Sequence, residues 1–133
     1  MLTFGLGLTI PQSEVETCMH LARPAYEALS LVNDIYSWPK ERADAAMSGQ
    51  DHVFNAVWVV MRERHCDEST ALGICRDTTL QVLKKFEHIL DSLQDLSLSL
   101  ESRQYLEALR QSYIGNLVWS IYCPRYSINS CSP

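Results

Sequence analysis

Turn formers are scarce in this sequence: glycine and proline together occupy ten of its 133 positions. That excludes collagen-like and low-complexity chains, and an apolar content of 47% excludes a disordered one. No basic surplus exists either. The net charge is −5 and the pI near 5.3, so nothing in the composition draws the chain to nucleic acid or to an anionic membrane. Five cysteines (Cys18, Cys66, Cys75, Cys123, Cys131) form no C-x-x-C pair, and an odd, widely spaced set excludes a complete disulfide scaffold or zinc site. Free, buried thiols in a reducing cytoplasm are expected. Long apolar runs are missing as well. The opening MLTFGLGLTI has no basic leader and stops at Pro11, too short to span a bilayer and built unlike a signal peptide, so it is expected to pack into a core.

What is present is helix former: Leu, Ala, Glu, Gln, Lys and Arg fill long stretches, and the chain reads as one all-α domain over residues 1–133. Ser13-Glu14-Val15-Glu16 has the form of a capping box and predicts a short helix to about Ala22. Pro24 fits the first turn of a second helix. Apolar positions at Ala25, Ala28, Leu29, Val32, Ile35 and Tyr36 carry that helix to about Met47, with a stop near Gly49. Pro39 inside it predicts a kink. A third helix, Asp51 to about Arg64, is apolar on most faces and is expected to be central. A fourth, amphipathic helix runs from Asp67-Glu68-Ser69 to about Leu93. The SLQDLSLSLES stretch follows as a loop, since a lone strand has no partner. A last helix spans about Ser99 to Ile121, ending before Pro124.

One stripe of the second helix carries chemistry. In L-V-N-D-I-Y-S-W-P-K-E, Asn33, Ser37 and Glu41 stand four residues apart and project along one side. An amide, a hydroxyl and a carboxylate are hard oxygen donors suited to Mg²⁺. Their outer α-carbons lie ~12 Å apart on a straight helix, so the long Glu41 side chain and a bend at Pro39 would have to bring the lower ligand back. A polar stripe on an amphipathic helix is the plainer reading of these three residues alone. A second signal follows the last helix: Arg125 and Tyr126, a guanidinium and a phenol able to donate to phosphate oxygens.

The N-D-x-x-S-x-x-x-E motif followed by a terminal R-Y resembles the class I terpene synthases. The wording G-N-L-V-W-S-I-Y-C-P-R-Y is similar to the cyclase domain of the chimeric fungal di- and sesterterpene synthases, of the fusicoccadiene and ophiobolin type. The resemblance covers essentially the whole chain. It implies the C-terminal helices of the class I terpenoid synthase bundle and a geranylgeranyl or geranylfarnesyl type of prenyl diphosphate as substrate. By it, Asn33, Ser37 and Glu41 bind Mg²⁺, while Lys40, Arg125 and Tyr126 contact the diphosphate. Asp34 orients neighbours, and Trp119 is a candidate face of the cyclisation cavity. The family's Asp-rich motif and upstream diphosphate-sensing Arg have no counterpart here, since only Arg23 precedes Asn33 among the arginines. The expectation is therefore the C-terminal half of a cyclase domain, without a second domain. Alternatively, the chain is a truncated, inactive helical protein that acts, if at all, by association, with itself or with a missing N-terminal half. His20, His52, His65 and His88 share no ligand spacing and are expected to play no metal or catalytic part.

Overall fold

The computed structural model describes residue 7 and residues 9–122, with side chains through residue 115. Within them the protein is all-α. Helix α1 spans Val15–Met47, α2 Ala56–Arg64, α3 Glu68–Asp91 and α4 Leu100–Tyr122, with single 3₁₀ turns at Gln12–Glu14 and Leu93–Asp95. The two helices expected on either side of Pro24 are one. Pro24 lies inside α1 and is buried, among Cys18, Ala22, Ala25 and Ala28. Proline inside a helix removes one hydrogen bond at a cost of about 3 kcal/mol. Burial of this small-residue face against α3 and α4 outweighs that cost, so tertiary packing overrides the local signal. The helix continues past Pro39 and ends where expected: Gly49 takes φ +70, a left-handed conformation that glycine adopts without strain, and its N–H donates to the Ala46 carbonyl.

The capping box at Ser13 does not form. Residues Gln12–Glu14 take a 3₁₀ turn, and no side chain caps the start of α1. The Glu14 carboxylate, beside Ser13, reaches across the bundle, accepting from the Ser99 N–H at 2.6 Å and the Ser102 hydroxyl at 3.1 Å. The start of α4 offers two donors and a favourable dipole, and these hydrogen bonds hold the Glu14 carboxyl below its usual range.

Two apolar clusters organise the packing. One joins Cys18, Ala22 and Ala25 of α1 to Phe86 and Leu90 of α3 and to Tyr105, Leu106, Leu109 and Tyr113 of α4, with Ile10 and Leu93 closing it. Ile10 is fully buried, as expected of an apolar opening segment. The other cluster sits further along α1, where Trp38 packs with Val57 of α2 and with Ala71 and Cys75 of α3. Helix α2 is not central. It starts at Ala56 rather than near Asp51, buries only Val57 fully, and leaves Val59 40% and the preceding Phe54 91% exposed. Ala56, Trp58, Val60 and Met61 pack partly buried against the same cluster, so this short helix lies at its edge with Val59 turned outward.

Helices α3 and α4 are clamped by Glu87, which accepts from Arg110 Nε at 3.0 Å, from a second Arg110 nitrogen and from the Tyr113 hydroxyl. Arg110 and Tyr113 hold the Glu87 carboxyl below its usual range, while burial and Glu87 push the Tyr113 phenol up to about 12. A depressed carboxyl pKa contributes stability above the unfolded value of 4.5 and loses it as pH falls through the folded value. Glu87→Gln should therefore lower stability at pH 7 by about 1 kcal/mol, a modest value because the pair is part-exposed. Melting curves taken from pH 7 down to pH 3 should show the deficit vanish in acid.

Candidate metal centre

Asn33, Ser37 and Glu41 line one stripe of α1, with Asn33 exposed, Glu41 half-buried and Ser37 buried. The Ser37 hydroxyl donates to Glu41 Oε1 at 2.7 Å. The other carboxylate oxygen accepts from the side-chain amide of Asn55 at 3.1 Å, and the same Nδ2 donates to the Asp34 carbonyl at 2.8 Å. Asp34 turns its carboxylate away from the stripe to accept the Ala56 N–H, the first of α2, at 2.8 Å. Burial raises the Asp34 pKa, the Ala56 hydrogen bond opposes the rise, and the Glu41 charge adds to it.

The donor set fits a hard divalent cation. Two oxygens bound side by side to an octahedral Mg²⁺, each ~2.1 Å from it, stand ~3.0 Å apart. Ser37 Oγ and Glu41 Oε1, 2.7 Å apart, need little movement to reach that separation. No group of three or more His, Cys, Asp or Glu side chains gathers in a metal-binding arrangement among the described residues. The candidate among the described residues is the mixed amide, hydroxyl and carboxylate stripe, with a single carboxylate in it.

Around the stripe, Lys40 is paired with Asp44 at 2.6 Å on the exposed side. Glu68, in the first turn of α3, accepts from the indole N–H of buried Trp38 at 2.6 Å and from Arg42 through both oxygens. That network ties the lower half of α1 to α3. Trp119 lies on α4 with its side chain outside the described residues, and Arg125 and Tyr126 also lie outside them. Of the histidines, His52 stacks against Phe54 and Trp58, and His65 closes α2 in a left-handed conformation. Cys18, Cys66 and Cys75 are free thiols, and burial pushes the Cys75 thiol up.

Two cavities open along the same side of α1. One of about 380 Å³ is lined by Glu41, Asp44, Ser48 and the 50–54 loop. The other, about 740 Å³, lies some two turns before Asn33 and is lined by Met19, His20, Arg23, Tyr26, Glu27, Ser30 and Tyr105. There the Tyr26 and Tyr105 hydroxyls are hydrogen-bonded to each other. Asn55, Glu68, Tyr26 and Tyr105 make contacts here that the sequence does not mark as functional. Tyr26 could have been found, since it shares the helical phase of Asn33 seven positions later; Asn55 sends no such signal.

The family model described as "Terpene synthase family 2, C-terminal metal binding" matches residues 1–85. Fusicoccadiene synthase of Phomopsis amygdali is 46% identical over 128 residues, 96% of this chain and 18% of that synthase. A bifunctional type I diterpene synthase of Aspergillus flavipes is 44% identical over 95% of this chain and 17% of its own length. Ophiobolin F synthase of Cochliobolus heterostrophus is 36% identical over 98% and 17%. The chain thus spans less than a fifth of the length of these relatives.

Proposed function

The chain belongs to the terpene synthase family, and from that membership we propose that it supplies one wall of a Mg²⁺-dependent centre that ionises a prenyl diphosphate for carbocation cyclisation. The observation that carries this reading is the Ser37–Glu41 pair, hydrogen-bonded at 2.7 Å on the stripe that also holds Asn33. These three residues would hold the ion. Bound there, Mg²⁺ would offset the charge of the diphosphate leaving group. Lys40 would exchange Asp44 for phosphate oxygens, an exchange open to an exposed ion pair. Arg125 and Tyr126 would donate to the same group. The aromatic faces of Tyr26 and of Trp119 would stabilise positive charge in the hydrocarbon away from water. A geranylgeranyl or geranylfarnesyl type of diphosphate is supported by the diterpene synthase of Aspergillus flavipes and by a bifunctional sesterterpene synthase of Aspergillus aculeatus, 42% identical over 95% of this chain and 18% of its own length.

Calorimetric titration of Mg²⁺ into the chain tests this directly. Binding should be weak alone and tighten with inorganic diphosphate, and Ser37→Ala should weaken it about tenfold. Identical isotherms for Ser37→Ala and wild type would remove the metal assignment. Incubation of these 133 residues with prenyl diphosphates from farnesyl to geranylfarnesyl and Mg²⁺ should yield no terpene, because the sequence carries no opposing Asp-rich motif.

One observation favours a second reading, association without catalysis. Met19 at 59%, Phe54 at 91% and Leu80 at 57% expose large apolar side chains. Sedimentation of a concentration-independent monomer would count against it. No helix among the described residues is long and apolar enough to cross a membrane. The free thiols of Cys18, Cys66 and Cys75 support the cytoplasm as the compartment.

A further inference from the structure

We infer that Asn55, fourteen residues beyond Glu41, is a positioning residue that holds the Glu41 carboxylate in its metal-binding orientation; this rests on the metal reading above. Asn55 is 3% exposed and every polar group it has is used. Its backbone N–H donates to the Val53 carbonyl, its carbonyl accepts from Val59, and its Oδ1 accepts the Val57 N–H at 2.9 Å, capping α2. Capping needs only that oxygen. The amide nitrogen does something else: one hydrogen goes to the Asp34 carbonyl at 2.8 Å and the other to Glu41 Oε2 at 3.1 Å. The orientation of the amide is fixed by these partners, since the nitrogen faces two acceptors and the oxygen faces a donor.

Only a side chain with a donor and an acceptor at this length serves both helices. Serine or threonine would cap α2 but could not reach Glu41, and aspartate would cap it while setting a carboxylate against a carboxylate. With Ser37 on Oε1 and Asn55 on Oε2, Glu41 is held from both sides and keeps lone pairs open for a cation. The Asp34 carboxylate on the Ala56 N–H ties the first turn of α2 to the residue beside Asn33. The start of α2 is therefore the brace of the ligand stripe, and Asn55 is the contact between the two.

The test uses Mn²⁺ as the probe, followed by electron paramagnetic resonance in the presence of inorganic diphosphate. Asn55→Ser keeps the cap and should weaken Mn²⁺ binding about tenfold. Glu14→Ala, which removes the brace at the far end of α1, should lower the melting temperature without changing Mn²⁺ affinity. In a Glu41→Gln background, Asn55→Ser should cost no further affinity, because the carboxylate it holds is gone; a merely structural role would add the same loss in both backgrounds. Should Asn55→Ser fail to fold, Asn55→Thr is read in its place, its β-branch suiting the extended backbone at φ −155 and ψ 139. Wild-type-like affinity in the cap-preserving variant, or additive losses, overturns the role of Asn55 and leaves the metal reading standing. Absence of Mn²⁺ binding by the wild-type chain overturns both.

Discussion

Glu41→Gln should weaken Mg²⁺ binding in the presence of diphosphate by about a hundredfold or more, beyond the range typical of a lost outer partner, while the melting temperature holds or rises. Glutamine has the shape of the residue it replaces. Its single oxygen can accept from Ser37 or from Asn55, though not from both, so the stripe keeps its packing and loses one hydrogen bond. The charge is what disappears, and the stripe has no other carboxylate to draw in a dication. On the stability side, burial and the neighbouring Glu41 charge both raise the Asp34 pKa. Removing Glu41's charge lets Asp34 ionise at less cost, which offsets the lost hydrogen bond. Calorimetry and thermal melts on the same preparation separate the two effects. An unchanged isotherm would show that Glu41 is no ligand; a collapse of the melting temperature would show that its role is structural.

The stripe proposed to hold the metal was legible because its spacing is local. Asn33, Ser37 and Glu41 belong to one helix, and a period of about 3.6 residues sets them on one side before any tertiary contact forms. The start of α3 was legible for a related reason: the Asp67 carboxylate caps the Thr70 N–H at 2.8 Å, an interaction within four residues. Where the reading failed, long-range packing decided. Pro24 has the local mark of a helix start, yet it lies inside α1 because the Cys18–Ala22–Ala25 face is buried against Phe86 and Tyr105. Ser13 and Glu16 have the local mark of a capping box, yet no side chain caps α1, and the neighbouring Glu14 takes Ser99 and Ser102, far along the chain. The apolar run from Val53 to Met61 gave no sign that α2 would start only at Ala56 and leave Phe54 and Val59 exposed. Asn55 was illegible for the deepest reason: its meaning lies in Asp34 and Glu41, and only the docking of α2 on α1 brings them together.

The second large effect concerns the other cluster. Phe86→Ala should destabilise the chain by about 3–5 kcal/mol, against a total stability of about 5–15 kcal/mol for a domain of this kind. Phe86 is fully buried where α1, α3 and α4 meet, with its ring edge-on to Tyr113 at 6.2 Å. Its neighbours on α1 are Cys18, Ala22 and Ala25, small side chains on a helix backbone that cannot swing into the space, so the cavity would persist. In denaturant the midpoint should fall with the slope unchanged, the signature of lost stability in an otherwise similar transition. Ser37 and Glu41, the proposed ligands, flank Trp38, which belongs to the separate Trp38–Val57–Ala71–Cys75 cluster. At a temperature where the variant is folded, its Mg²⁺ affinity should therefore match wild type, the reverse of the pattern for Glu41→Gln. A loss under about 1 kcal/mol would mean that Phe86 is not packed among the three helices in solution. A matching loss of metal affinity in the folded variant would mean that the two clusters act as one unit, because independent sites add and coupled ones do not.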